Sequence, residues 1–222
     1  MLAPQRSRTI FMPHVVLLGD SVFDNGAYVG RGPDVIAQVR ERLPAGSTGT
    51  LAAVDGALIG NVSRQMERVP GSATHLVVSA GGNDALMHSD VLTERATSMA
   101  EALDRLRAIA AYFEREYAAM IEAVAGRGLP TAVCSIYNPR YPEPVRQRLA
   151  VQALAVPNDV ILREAFARGL PVLDLRLICD RDEDYANPIE PSSLGGGKIA
   201  EAIVRLVATH DFGRGRTEVF TR

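Results

Sequence analysis

Along the chain, short blocks of almost uninterrupted apolar residues alternate with longer stretches whose apolar positions recur at every third or fourth residue. The short blocks are 14–18 (HVVLL), 50–54 (TLAAV), 75–79 (HLVVS), 131–136 (TAVCSI) and 171–175 (PVLDL). Runs this short and this continuous suit strands covered on both faces. The longer stretches, at 33–42, 62–69, 93–125, 143–168 and 192–209, suit helices. The third ends at Gly126 and Gly128, a helix-stop signal. Pro157-Asn158 lies inside the fourth, where a kink or a break into two helices is expected. The alternation predicts one α/β domain over 13–210, an open parallel sheet with helices on both sides. Residues 1–12 and 211–222 are terminal extensions in this reading, and the polar, glycine-containing tail FGRGRTEVFTR is expected to be loosely held.

Composition narrows what such a domain does. The 222 residues are 47% hydrophobic and 23% charged, enough for a globular core. Basic and acidic residues nearly balance, for a net charge of −2, which gives no electrostatic footprint for nucleic acid or an anionic membrane. No apolar run approaches the roughly 18–20 residues that span a bilayer. The start, MLAPQRSRTIFMPHVV, shows no signal-peptide pattern, and Met12 is a second plausible start. Cys134 and Cys179 form neither a CxxC nor a zinc pattern. A soluble cytoplasmic protein with no cofactor and no metal is expected.

In open α/β sheets the loops at the carboxyl ends of the strands hold the ligand. Here those loops are 19–28, 55–61, 80–84, 137–144 and 176–191. The first carries GDSVFDNG, with Ser21 just past a buried strand: either an exposed nucleophile or a helix-capping serine. The second carries DGALIGN, where Gly60 can bring a backbone N–H near a ligand. The third carries SAGGNDAL, where Asn83 offers an amide donor. Neither glycine loop is a nucleotide-binding pattern. Together they place a serine and two oxyanion donors at one sheet edge.

GDS, the Gly60 loop and GGND, in this order, resemble the SGNH (GDSL-type) hydrolases, a family of esterases, lipases and acylhydrolases. The resemblance spans about residues 15–207. It implies a three-layer α/β/α domain whose five-stranded parallel sheet has the flavodoxin-like order 2-1-3-4-5. It implies Ser21 as nucleophile, with its own N–H, the Gly60 N–H and the Asn83 amide forming the oxyanion hole. A small-molecule ester is then the substrate.

The last block departs from the family pattern. The family carries Asp-x-x-His before the last helix; the corresponding stretch here is DYANPIEPSSLGGGKIAEAI, with Asn187 at the aspartate and Glu190 at the histidine. Two candidates remain for the base. His88, shortly after Asn83, can reach the pocket rim, whereas His14, His75 and His210 belong to the far edge of the sheet. Glu190 can serve if burial lifts its pKa from about 4.3 toward neutrality, and the acidic residues Asp180, Asp182, Glu183 and Asp184 would add to that lift if they face inward. Against this stands a Glu190 that caps the last helix or pairs with Lys198. The rival functions are an acyltransferase on the same site and a module that binds an acyl or sugar ligand without turnover. The run DRDED reads as a solvated loop, the GGGK glycines as close packing of the last helix, and Arg140 as a possible contact for an anionic group.

Overall fold

The computed structural model describes residues 12–221; the expected extension at 1–12 therefore lies, but for Met12, outside the described residues. The expected strands form as β1 (His14–Gly19), β2 (Thr48–Leu51), β3 (His75–Ser79), β4 (Thr131–Cys134) and β5 (Val172–Leu173). They pair in parallel in the order β2-β1-β3-β4-β5. Successive side chains on β1 go to opposite faces. Val15 and Leu17 join one core with α1 (Val35–Arg42) and α7 (Ser193–Thr209). Val16 and Leu18 join the other, with α2 (Val62–Met66), α4 (Met99–Ala125) and α5 (Pro144–Arg168). Burial on both faces is what the unbroken apolar runs encode.

The expected sheet gains a sixth strand. The tail is not loose: β8 (Val219–Phe220) pairs in parallel with β5, Val172 against Val219 and Leu173 against Phe220. Val172 N donates to Glu218 O and Asp174 N to Phe220 O, each at 2.9 Å. His210 Nδ1 meets Glu218 Oε2 at 2.8 Å, fixing the return of the chain from α7. A two-residue strand in a polar setting carries no alternation to read, so pairing rather than sequence defines it.

Two helices also differ from the expectation. α4 begins at Met99 behind the capping Ser98, not at residue 93, because residues 89–92 form a separate 3-10 turn. α5 runs unbroken through Pro157. Asn158 there uses its side chain on the chain beyond β4, accepting from Ile136 N at 2.8 Å and donating to Ile136 O at 2.9 Å. The short α3 (Gly82–Met87) follows β3, and α6 (Leu175–Ile178) follows β5. An antiparallel pair, β6 (Tyr185–Asn187) and β7 (Glu190–Pro191), stands apart from the main sheet.

Candidate active site

The loop that carries Ser21 is built by a glycine that no other residue can replace. Gly19 has φ +124°, and a Cβ there would lie 1.7 Å from Ser79 O. β1 can thus end hard against β3 and turn at once. Asp20 N donates to Ser79 O, and Phe23 N and Asp24 N both donate to Asp20 O, which coils residues 20–24 into one tight turn. Gln65 of α2 clamps the base of this turn, accepting from Gly19 N and donating to Gly19 O, both at 2.7 Å. The local capping role falls to Asp20, whose Oδ1 accepts from Val22 N at 3.1 Å. Ser21 is therefore not a capping serine.

Instead Ser21 Oγ donates to Glu190 Oε1 at 3.1 Å, across 169 residues of sequence. Both side chains are buried, each 6% exposed. Glu190 neither caps α7 nor pairs with Lys198. Ser192 is the cap, accepting from Gly195 N at 3.2 Å, and Lys198 Nζ goes to Asp184 Oδ2 at 2.7 Å and Asp180 Oδ1 at 3.5 Å. The Glu190 Oε2 oxygen is buried with no hydrogen-bond partner among the described residues.

The turn that presents Glu190 is held from several sides. Asn187 Oδ1 accepts from Ile189 N at 2.9 Å and Glu190 N at 3.0 Å, so Asn187 shapes the backbone and leaves the carboxylate alone. Tyr137 Oη donates to Ile189 O at 2.5 Å, and Asn25 Nδ2 to Pro191 O at 3.1 Å. Arg140 N donates to Pro188 O at 2.7 Å. Its guanidinium is spent on the same segment: Nη2 donates to Asp180 O at 2.8 Å, Nε pairs with Asp182 at 3.0 Å, and the group lies over the Tyr185 ring. Arg140 is thus a strut between loops, not a contact for an anionic substrate.

Burial pushes the Glu190 carboxyl from 4.5 up to about 7; the Ser21 hydrogen bond opposes this and the nearby Asp55 adds to it. The charge that adds to the shift is Asp55 and not the acidic run, in which Asp180 and Asp184 pair with Lys198 and Asp182 with Arg140. Nor is the run wholly solvated: Asp184 is fully buried and accepts from Arg181 N at 3.0 Å. Asp20, buried beside Ser21, is also pushed up to about 7, chiefly by desolvation, with Glu190 and Asp84 adding to it.

Asn83 opens α3 and donates from Nδ2 to Ala57 O at 3.0 Å, which leaves its second amide hydrogen uncommitted in that bond. Asp84 Oδ2 accepts from Ile59 N at 3.0 Å. These two bonds tie the loop after β2 to the loop after β3. Gly60 is exposed on the 3-10 turn Ile59–Asn61, whose Ile59 is buried, and lies outside the cavity lining. His88 ends α3 and stacks edge-on with Tyr112, ring centroids 5.5 Å apart. The other histidines lie where expected, His14 between Ser72 and Thr50, His75 against Thr74, and His210 beside Glu218.

Ser21, Asn83 and Glu190 line one end of a cavity of about 640 Å³ that runs out between α4 and α5. Behind it, Gly195 meets the segment that carries Glu190: a Cβ there would fall 2.1 Å from Asp184 O, so α7 packs closely only because it starts with glycines. Among the described residues no cluster of side chains suits a metal ion. None of their helices is long and apolar enough to cross a membrane. Four residues that position the site escape the sequence reading: Asp20, Gln65, Asn25 and Asp84. Gln65 leaves one signal, since it falls in register with Val62, Met66 and Val69 on the apolar face of its helix, where a polar residue needs a buried partner.

Comparison with known proteins identifies the fold and the family. No curated protein matches the sequence significantly. Solved structures resemble its fold. A lipase from goat rumen metagenome superposes with TM-score 0.67 at 19% identity, covering 92% of this chain and 99% of the other. An extracellular lipase from Streptomyces rimosus gives 0.63 at 18%, covering 89% and 100%. A phospholipase A1 from Streptomyces albidoflavus NA297 gives 0.61 at 18%, covering 89% and 99%. The sequence model of the GDSL-like lipase/acylhydrolase family matches residues 17–195, a span that opens within β1 and closes in the first turn of α7. The chain belongs to the GDSL-like lipase/acylhydrolase family and is a hydrolase of ester bonds.

Proposed function

We propose that the protein cleaves carboxylic esters through an acyl-enzyme on Ser21, with Glu190 as the general base. The observation that carries this reading is the buried hydrogen bond from Ser21 Oγ to Glu190 Oε1 at 3.1 Å. A base works best when its pKa lies near the working pH, and burial brings Glu190 to about 7. Glu190 takes the Ser21 proton as Oγ attacks the ester carbonyl. It then gives that proton to the departing alkoxide. Water attacks the acyl-enzyme, loses a proton to Glu190, and the proton returns to Ser21 as the acid is released. The negative oxygen of each tetrahedral intermediate is met by the Asn83 amide and the Ser21 N–H; Gly60, outside the cavity lining, takes no part in this reading. A carboxylate has no second ring nitrogen to orient, so Asn187 in place of an acid costs the mechanism nothing.

The test is a pH–rate profile on a small aryl ester, against a buffer blank, for wild type, Ser21→Ala, Glu190→Gln and His88→Ala. The base must be ionised, so activity rises with pH through a limb near 7. Ser21→Ala and Glu190→Gln each lose about a hundredfold to ten-thousandfold in kcat, while His88→Ala stays active. A dead His88→Ala with an active Glu190→Gln would transfer the role to His88. A wild type at the blank level would make the site one that binds without turnover.

A further inference from the structure

The chain has one lysine among its 24 basic residues, and that lysine sits behind the turn that carries Glu190. Lys198, in the second turn of α7, places Nζ 2.7 Å from Asp184 Oδ2 and 3.5 Å from Asp180 Oδ1. The Asp184 side chain is fully buried, and Lys198 is the cation paired with it among the described residues. The other Asp184 oxygen, Oδ1, is buried with no hydrogen-bond partner among them. A buried carboxylate so placed depends on its cation, because losing one partner leaves an uncompensated charge out of water. Exposed pairs such as Arg107 with Asp104 carry no such dependence.

Asp184 is also bonded into the path of Glu190. Its backbone O accepts from Ser192 N at 2.8 Å, and Ser192 Oγ donates to Glu183 O at 2.6 Å. Tyr185 pairs with Pro191, and Asn187 with Glu190, across β6 and β7. Residues 183–185 thus lie alongside 190–192, and whatever moves Asp184 moves the strand that holds Glu190. Space explains the choice of lysine in a chain that otherwise uses arginine. A Cβ on Gly195 would fall 2.1 Å from Asp184 O, and one on Gly197 2.7 Å from Gln38 Oε1. An ammonium is a compact point charge, whereas a guanidinium is a broad planar fork.

We propose that Lys198 is a positioning residue for the base: its ammonium locks Asp184 in place and thereby holds Glu190 Oε1 within hydrogen-bond reach of Ser21 Oγ. The inference rests on the reading of Glu190 as the base. The lock acts by geometry and not by charge. The titratable groups that face Glu190 are Asp20 and Tyr28 in the loop after β1, Asp55 after β2 and Tyr137 after β4. Ser21 completes the set with its hydrogen bond, so the lock reaches the Glu190 carboxyl through that bond.

The experiment measures kcat, KM and the pH–rate limb on a small aryl ester, per folded molecule as counted by near-UV circular dichroism. The variants are Lys198→Met, Lys198→Arg, Glu190→Gln and the double variant Lys198→Met/Asp184→Asn. Lys198→Met lowers kcat about tenfold to a hundredfold while KM moves less than about twofold. Its limb shifts to higher pH, because the Ser21 hydrogen bond that holds the Glu190 carboxyl down is lost. Lys198→Arg keeps the charge without the fit and falls between wild type and Lys198→Met. The double variant has no buried charge left to pair, so kcat returns to within about threefold of wild type and the limb to its wild-type position. A Lys198→Met that keeps the wild-type limb, with any loss of rate accounted for by the folded fraction, makes the lysine structural only and overturns the inference. If Lys198→Met does not fold, Lys198→Arg and the double variant carry the same two readouts. Glu190→Gln tests the reading beneath: if it stays active, the base lies elsewhere. In that case, or if wild type hydrolyses nothing, a 13C NMR titration of glutamate-labelled protein follows the Glu190 carboxyl directly, assigned by its absence in Glu190→Gln. A carboxyl that titrates higher in Lys198→Met than in wild type keeps the lock; coincident curves remove it.

Discussion

Asp20 offers a stability test that does not depend on turnover. Its carboxyl is 3% exposed, and burial holds its pKa near 7 against 3.8 for the free side chain. A carboxyl whose pKa is raised by folding contributes most below its unfolded pKa, and that contribution is lost as pH rises through the folded value. The window is therefore about pH 4 to 7. Across it the native state holds a proton the unfolded state has released, so stability falls with rising pH. A shift of roughly three units at 1.36 kcal/mol each makes the ionised Asp20 cost about 4 kcal/mol at pH 8. Asp20→Asn keeps an acceptor for Val22 N and removes the ionisation. Urea unfolding of wild type and variant at pH 5 and pH 8 reads the effect. The variant should gain on wild type by about 3 kcal/mol between the two pH values, and Glu190 titration largely cancels in the difference. A gap between the two proteins that does not change with pH would refute the argument that desolvation governs Asp20.

The bonds behind Ser21 and around Asn83 and Glu190 make further predictions. Gln65→Ala strands the Gly19 N–H beneath Ser21 and should cost about 1–3 kcal/mol in denaturant unfolding, with a fall in kcat larger than any change in KM. Asn83→Ala removes the amide proposed to meet the tetrahedral intermediate, and steady-state kinetics should show kcat down about a hundredfold to a thousandfold. Tyr137→Phe deletes only the bond to Ile189 O; it should destabilise by about 1 kcal/mol and lower kcat without moving the pH limb, since it holds the turn and does not touch the carboxylate.

Much of the fold is written in residues 14–18 and 75–79, whose nearly continuous apolar runs, short and set between helical stretches, suit strands buried on both sides. The Ser21, Asn83 and Glu190 constellation is legible because the strand ends bring three separate loops to one edge. What escapes has a common cause. A sequence shows which residues are apolar but not what they touch, so the stripe of Leu106 and Ile109 reads the same as the stripe of Tyr117 and Ile121, although one faces a cavity and the other the sheet. Paired polar groups are hidden for the same reason. Asp184 looks solvated in an acidic run until Lys198 arrives from another element, and Arg140 looks free until the 180–188 loop closes over it. β8 is invisible because a strand of two residues owes everything to its neighbour.

The packing of α1 against α7 has a consequence for how the chain is made. α1, early in the chain, lays Val35, Ile36 and Val39 against Ile199, Ile203 and Leu206 of the late α7. Until some 160 further residues have been synthesised, that face has no lasting cover, and the nascent chain must carry it bare or lend it to a chaperone. Glu190, the base proposed above, travels with the same late segment. Closure of the core and assembly of the Ser21–Glu190 pair are thus one event in the life of the molecule, so an unfinished chain is both sticky and inert.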